Sequence, residues 1–161
     1  MSLRRWVNLA GFLLCAAMIG FAYYLQYGPP RLEPCPLCIF ERVAVAALGL
    51  VFLIAFLHDP RRWGRWVYVV LIFIVAGIGI FIAARHVYIQ MHPETVMSCG
   101  GASLKTMIEH LPFTRVVQLV LRGSGECAHI DRLLGFTLPG WVLVATIVLG
   151  VAGVAANIRR R

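Results

Sequence analysis

Charge is scarce in this chain of 161 residues. Only 14% of its residues are Asp, Glu, Lys or Arg, against roughly 25% in an average soluble domain, and the mean hydropathy is +0.81. That excludes an ordinary water-soluble fold. The sequence has no nucleotide-binding motif, no Ser, His and Asp arrangement for hydrolysis, and no internal repeat. It lacks a contiguous basic face interleaved with aromatics, so the net charge of +8 is not a nucleic-acid footprint. The first apolar run continues to Tyr27 without a clear small-x-small cleavage site. Although Arg4 and Arg5 precede that run, it therefore reads as a retained span rather than a signal peptide. The small residues of a lipoprotein site are likewise missing before Cys15, which reads as a buried small hydrophobe.

What is present in abundance is apolar sequence, 60% of the residues. Trp6 to Pro30, Trp66 to Ala84 and Leu133 to Ile158 carry no Asp, Glu, Lys or Arg, and each is near the length of about 20 residues that a spanning helix needs. Val43 to Leu57 is shorter. It reaches spanning length only if its helix begins near Cys38 and takes in Glu41 and Arg42. The reading is an all-α integral membrane protein, one domain over 1–161, built as a four-transmembrane-helix bundle. The spans are expected at about 6–27, 38–57, 66–86 and 136–157, with outer loops 28–37 and 87–135 and a cytoplasmic loop 58–65. Tyr23, Tyr24 and Tyr27, with Trp6, Trp63, Trp66 and Trp141, fall near the span ends, as an aromatic belt does.

Orientation follows from the positive-inside rule. Arg4, Arg5, Arg61, Arg62, Arg65 and Arg159 to Arg161 fall on one side of a four-span zigzag and face only Asp59. Both termini are therefore expected in the cytoplasm. Cys35, Cys38, Cys99 and Cys127 then share the outer side, where an oxidising compartment lets thiols pair. The long outer loop should carry short interfacial helices. Leu104, Met107, Ile108 and Leu111, and after Pro112 the set Phe113, Val116, Val117 and Val120, recur at helical spacing, and a small lid packed on the bundle fits the same pattern.

Cys35-Pro36-Leu37-Cys38-Ile39-Phe40-Glu41-Arg42 is the stretch with chemistry in it. Pro29, Pro30 and Pro34 stiffen the loop before it and hold it near the bilayer surface. A thiol at a helix start is set toward exchange by unpaired N–H groups, and Arg42, one turn after Cys38, adds a fixed positive charge on the same face. Glu41 and Arg42 lie inside a span end, where charge is costly and usually functional. Arg85 and His86 close the third span at a similar depth. Cys99 in Ser98-Cys99-Gly100-Gly101 and Cys127 in Gly123-Ser124-Gly125-Glu126-Cys127 sit in settings that suit accessible thiols. Four cysteines allow three pairings. Proximity favours Cys35 with Cys38, which leaves Cys99 with Cys127, and the pairing at rest stays open.

The combination of these features, with Glu33-Pro34 before the motif, Gly125-Glu126-Cys127-Ala128, and Leu134-Gly135 leading to Pro139-Gly140-Trp141, closely resembles the DsbB family of bacterial disulfide-bond formation proteins. The resemblance covers essentially the whole chain. It implies a thiol:quinone oxidoreductase of the bacterial inner membrane, its active cysteines on the periplasmic side. Cys35 and Cys38 would pass two electrons to ubiquinone or menaquinone, with Cys38 nearest the ring and Arg42 and His86 beside it. Cys99 and Cys127 would reoxidise a DsbA-like periplasmic thiol oxidase, Cys99 forming the mixed disulfide and Cys127 relaying electrons to Cys35. Where the family often has a Trp after the last cysteine, this chain has Ile130-Asp131-Arg132-Leu133.

Two other classes fit parts of the pattern. A metal-binding or structural membrane protein with static disulfides would also use Cys-x-x-Cys, with His86, His92 or His129 on the same side, but a structural zinc site usually brings a second close ligand pair, which this sequence lacks. No metal is therefore assigned. An epoxide-reductase-like quinone enzyme shares the four-helix logic but usually carries its motif late in the bundle; here the motif opens the second span.

Overall fold

The computed structural model describes residues 3–29, 34–59, 63–92, 110–122, 132–133 and 136–158. Four helices are long and apolar enough to cross a membrane: α1 (Leu3–Tyr27), α2 (Pro36–His58), α3 (Gly64–Met91) and α5 (Leu138–Ile158). Between the last two lies a shorter helix, α4 (Phe113–Arg122). A minimal antiparallel ladder, β1 (Arg132–Leu133) on β2 (Phe136–Thr137), leads into α5. The protein is thus an all-α, four-span membrane bundle.

The helix ends are set by local chemistry. Cys35 is the N-cap of α2, in extended backbone, and Pro36 follows where its missing N–H costs nothing. Asp59 ends the same helix in the left-handed region (φ 38°, ψ 59°), its N–H bonded to the Ala55 carbonyl at 3.2 Å. Thr137 caps α5, its Oγ1 accepting the Gly140 N–H at 3.3 Å. α3 continues past Arg85 and His86 to Met91, so both residues lie within a helix rather than at its end. Buried Ile89 and Gln90 extend the packed face of α3 over that added turn.

Polar contacts show that the spans alternate in direction. At one end Arg4 at the start of α1 pairs with Asp59 after α2 (Nη2 to Oδ1, 2.6 Å). His58 of α2 meets the Tyr68 hydroxyl of α3 at 2.8 Å. Asn8 of α1 and Asn157 of α5 exchange two buried amide hydrogen bonds of 3.0 and 3.4 Å. The Cys-x-x-Cys segment lies at the opposite end.

Packing at mid-depth depends on close approach, because lipid tails are as apolar as the core and burial alone drives little association. The Phe52 ring of α2 is wedged between α1 and α5. A Cβ on Gly11 would lie 2.9 Å from Phe52 Cδ2, and one on Gly153 2.6 Å from Cε1. Cys15 is buried in this cluster with Val45, Leu48, Ile72, Ala76 and Leu149, which accords with its reading as a small hydrophobe. Outward-facing Leu13, Leu14, Phe73, Ile78, Phe81 and Val151 are exposed on the bundle, as a lipid-facing surface requires. Tyr23, Tyr24, Tyr27, Trp6, Trp63, Trp66 and Trp141 are exposed too, in keeping with the aromatic belt.

The second buried cluster underlies the thiol motif: Cys35, Leu37, Ile82 and Ile89, closed by Val116 and Val120 of α4. Those two valines are one turn apart and form the inner stripe of α4. Arg85 Nε donates to the Leu121 carbonyl at 3.0 Å and holds the far end of α4 to α3. This helix, which starts just after Pro112, is therefore packed as a cap on the bundle.

Candidate thiol site

The site is assembled from one helix start and one imidazole. Because Cys35 is the N-cap, its Sγ turns back over the first turn of α2 and accepts the Cys38 N–H at 3.3 Å. The two sulfurs stand 3.1 Å apart as neighbouring thiols. Cys35 is only 5% exposed, beneath the cap helix, whereas Cys38 is half-buried and forms part of a cavity wall.

His86 reaches the pair from α3. Its Nε2 lies 3.7 Å from Cys35 Sγ, and its Nδ1 lies 2.8 Å from Glu41 Oε1. Both His86 and Glu41 are buried, at 2% and 5% exposure. With Glu41 as a carboxylate, the 2.8 Å contact is satisfied by a hydrogen on His86 Nδ1, which leaves the Nε2 lone pair toward Cys35. Cys35, His86 and Glu41 thus form a continuous buried chain of thiol, imidazole and carboxylate.

On the other side of Cys38 is a mainly apolar, partly open cavity of about 430 Å³ lined by α1, α2 and α5. Met18, Ala22, Leu25, Val45, Pro139 and Trp141 supply most of its character, and Cys38, Glu41, Arg42 and Gln26 are its polar features. Arg42 is anchored rather than loose. Its Nη1 donates to Gln26 Oε1 at 2.5 Å and its Nη2 to the Ala22 carbonyl at 3.3 Å, and the guanidinium lies 5.3 Å over the Tyr23 ring. A positive charge fixed on an apolar wall beside a thiol favours negative charge that develops there.

Of the residues expected from sequence, the structure brings Cys35, Cys38 and His86 together in one cluster and Cys38 and Arg42 onto one cavity wall. Cys38 and Arg42 share the cavity wall, one helical turn apart, while His86 stands behind Cys35 and not among the cavity-lining residues. Cys99 and Cys127 lie outside the described residues. Glu41, expected from sequence to be a costly and functional charge at a span end but given no role, is placed here as the partner of His86. Its partner could not be read from sequence, because which residues of neighbouring spans meet depends on the register between the helices. The sulfur atoms of Cys35 and Cys38 and a ring nitrogen of His86 also fall within 4.8 Å of one another, a spacing that could hold a metal ion.

The family model for "Disulfide bond formation protein DsbB" matches residues 4–156. The chain belongs to the DsbB family. A Disulfide bond formation protein B from Nitrosococcus oceani is 51% identical over 148 residues, covering 91% of this chain and 87% of the relative. One from Xanthomonas oryzae pv. oryzae is 45% identical over 155 residues, covering 95% and 90%. Another from Marinobacter nauticus is 40% identical over 157 residues, covering 97% and 93%. No solved structure matches the chain. Membership in the DsbB family makes this a membrane protein of disulfide bond formation, and so a disulfide-forming oxidoreductase.

Proposed function

We propose that this protein is a thiol:quinone oxidoreductase of a bacterial inner membrane, with both termini in the cytoplasm and its four outer cysteines on the periplasmic side. The observation that carries the reading is the placement of Cys38 and Arg42 on the wall of one apolar cavity, with Cys35 directly behind Cys38. The residues present fit a quinone, either ubiquinone or menaquinone. The cavity is apolar enough for a lipid-soluble ring, and its few polar groups gather at one place, where a carbonyl oxygen would need them. When bound, a quinone supplies an acceptor for two electrons and two protons.

The chain's own residues do the rest. Arg42 orients the acceptor and holds positive charge where negative charge arrives. Cys38 presents its sulfur to the cavity. Cys35 passes its proton to His86 Nε2, and Glu41 stabilises the imidazolium so formed. Cys35 Sγ then closes on Cys38 Sγ; the electron pair would leave through Cys38 to the acceptor held in the cavity, and the Cys38 proton and, by way of Glu41, the proton held at His86 would follow it, so that the thiols' two electrons and two protons are all accounted for. Glu41 touches His86 and also lines the cavity, so it offers the buried proton a way toward the acceptor. His86, expected from sequence beside the quinone, serves it here through the thiol pair. Cys99 and Cys127 take electrons from a reduced DsbA-like periplasmic thiol oxidase, through a mixed disulfide at Cys99, and Cys127 hands them to Cys35.

Purified protein with excess quinone should oxidise a reduced thioredoxin-like substrate, and Cys38→Ser should abolish quinone reduction. A Cys38→Ser variant that kept full quinone reduction would overturn this function.

A further inference from the structure

We infer that the reduced thiol pair and His86 form a binding site for zinc, and that zinc held there arrests the protein in its reduced state. The inference needs the Cys35–Cys38 pair to be reduced and does not depend on which acceptor oxidises it.

Three ligand atoms of the right chemistry already converge. Cys35 Sγ, Cys38 Sγ and a ring nitrogen of His86 lie within 4.8 Å of one another. In a tetrahedral zinc site with Zn–S of about 2.3 Å and Zn–N of about 2.0–2.1 Å, sulfurs stand about 3.8 Å apart and sulfur and nitrogen about 3.5 Å. The Cys35 Sγ to His86 Nε2 distance of 3.7 Å is close to that value, and the sulfurs, at 3.1 Å, need only a modest side-chain rotation. Cys38 is not enclosed on its cavity side, so it has room to make that rotation.

The support behind the imidazole is also in place. Glu41 Oε1, 2.8 Å from His86 Nδ1, fixes the imidazole with its hydrogen on Nδ1 and its lone pair on Nε2, the carboxylate–histidine arrangement that supports a zinc ligand. Charge balance favours the complex as well. Two thiolates neutralise one Zn²⁺, and a neutral core is far cheaper to bury than an isolated ion. Imidazole and thiolate ligands suit zinc over magnesium or calcium. The described residues supply three ligands, which leaves one coordination position for a further ligand.

Binding forms two Zn–S bonds and one Zn–N bond, releases the two thiol protons, and moves no electrons. Once Cys35 and Cys38 are joined as a disulfide, neither sulfur is a thiolate and the site no longer exists. Zinc affinity is therefore gated by redox state.

The test uses the full-length chain in detergent with Cys99→Ala and Cys127→Ala, so that a single pair remains. After reduction with a phosphine, Zn²⁺ is titrated against a chromophoric chelator. One zinc per chain is expected in the reduced protein and none in the oxidised protein. Glu41→Gln should weaken binding by about 10–100-fold, and His86→Ala, which removes a ligand, by at least as much. X-ray absorption on the zinc-loaded protein, with His86 intact, should show two sulfur neighbours and at least one imidazole nitrogen. No stoichiometric binding, equal binding by the oxidised protein, or a shell without imidazole would overturn the inference. With the wild-type cysteines, stoichiometric zinc should stop quinone reduction and a chelator should restore it. A metal-free preparation that reduces quinone but takes up no zinc refutes the zinc site and leaves the proposed function standing.

Discussion

Replacing Glu41 with Gln keeps the size of the side chain and removes its charge, and so tests whether the buried carboxylate matters to the Cys35 proton. The Nδ1 to Oε1 separation of 2.8 Å puts the centres of the imidazolium and carboxylate about 4 Å apart, for which Coulomb's law at an effective dielectric of about 20 gives roughly 4 kcal/mol. An amide in the same place keeps part of that through its dipole. A loss of about 1.5–3 kcal/mol therefore falls on the state in which His86 carries a proton, or about 10–100-fold in rate. Stopped-flow bleaching of quinone absorbance by the pre-reduced protein measures the step. The maximal rate should fall by that factor while the quinone KM moves little, because Glu41 acts on a transition state in which the proton moves. Glu41→Asp, which keeps the charge and loses reach, should recover part of the rate. Exchange between the two cysteine pairs, followed by thiol trapping without quinone, separates this from misfolding and should still take place. A maximal rate within about twofold of the parent, or a loss confined to KM, would refute the role given to the Glu41–His86 pair.

Arg42→Gln removes the charge anchored by Gln26 and the Ala22 carbonyl. Hydrogen bonds to charged groups are worth about 1.5–3 kcal/mol, so the quinone KM should rise about 10–100-fold with cysteine-pair exchange unaffected, and an unchanged KM in steady-state assays would contradict its place in the cavity. Gly153→Ala puts a methyl 2.6 Å from the Phe52 ring and should lower stability against denaturing detergent by about 1–3 kcal/mol; a Phe52→Leu change added to it should recover part, and full stability of the single variant would mean that the wedge is not tightly packed.

The four spans were legible because lipid admits few alternatives: long runs without charge must be helices, and the arginines between them mark the ends. The Cys-x-x-Cys and Arg42 were legible because Cys35, Cys38 and Arg42 follow one another at steps of about one helical turn, distances that sequence spacing fixes. The pairing of Glu41 with His86 was not. It depends on the register between α2 and α3, which no local periodicity encodes, and on α3 continuing to Met91, so that His86 faces inward rather than ending a span. The cap over Cys35 was half legible. Val116 and Val120 showed a stripe, but only the packed structure distinguishes a helix lying on lipid from one seated on the bundle and held by Arg85.

The cap has a kinetic consequence. Cys35 is packed beneath Val116 and Val120, and Cys38 lines the cavity, so the two sulfurs of one pair have different surroundings. On the proposed function, thiol exchange at Cys35 and the acceptor at Cys38 use different sulfurs, so raising the concentration of either reagent saturates its own sulfur without blocking the other, while the direction of electron flow is set by the reduction potentials of the two reagents.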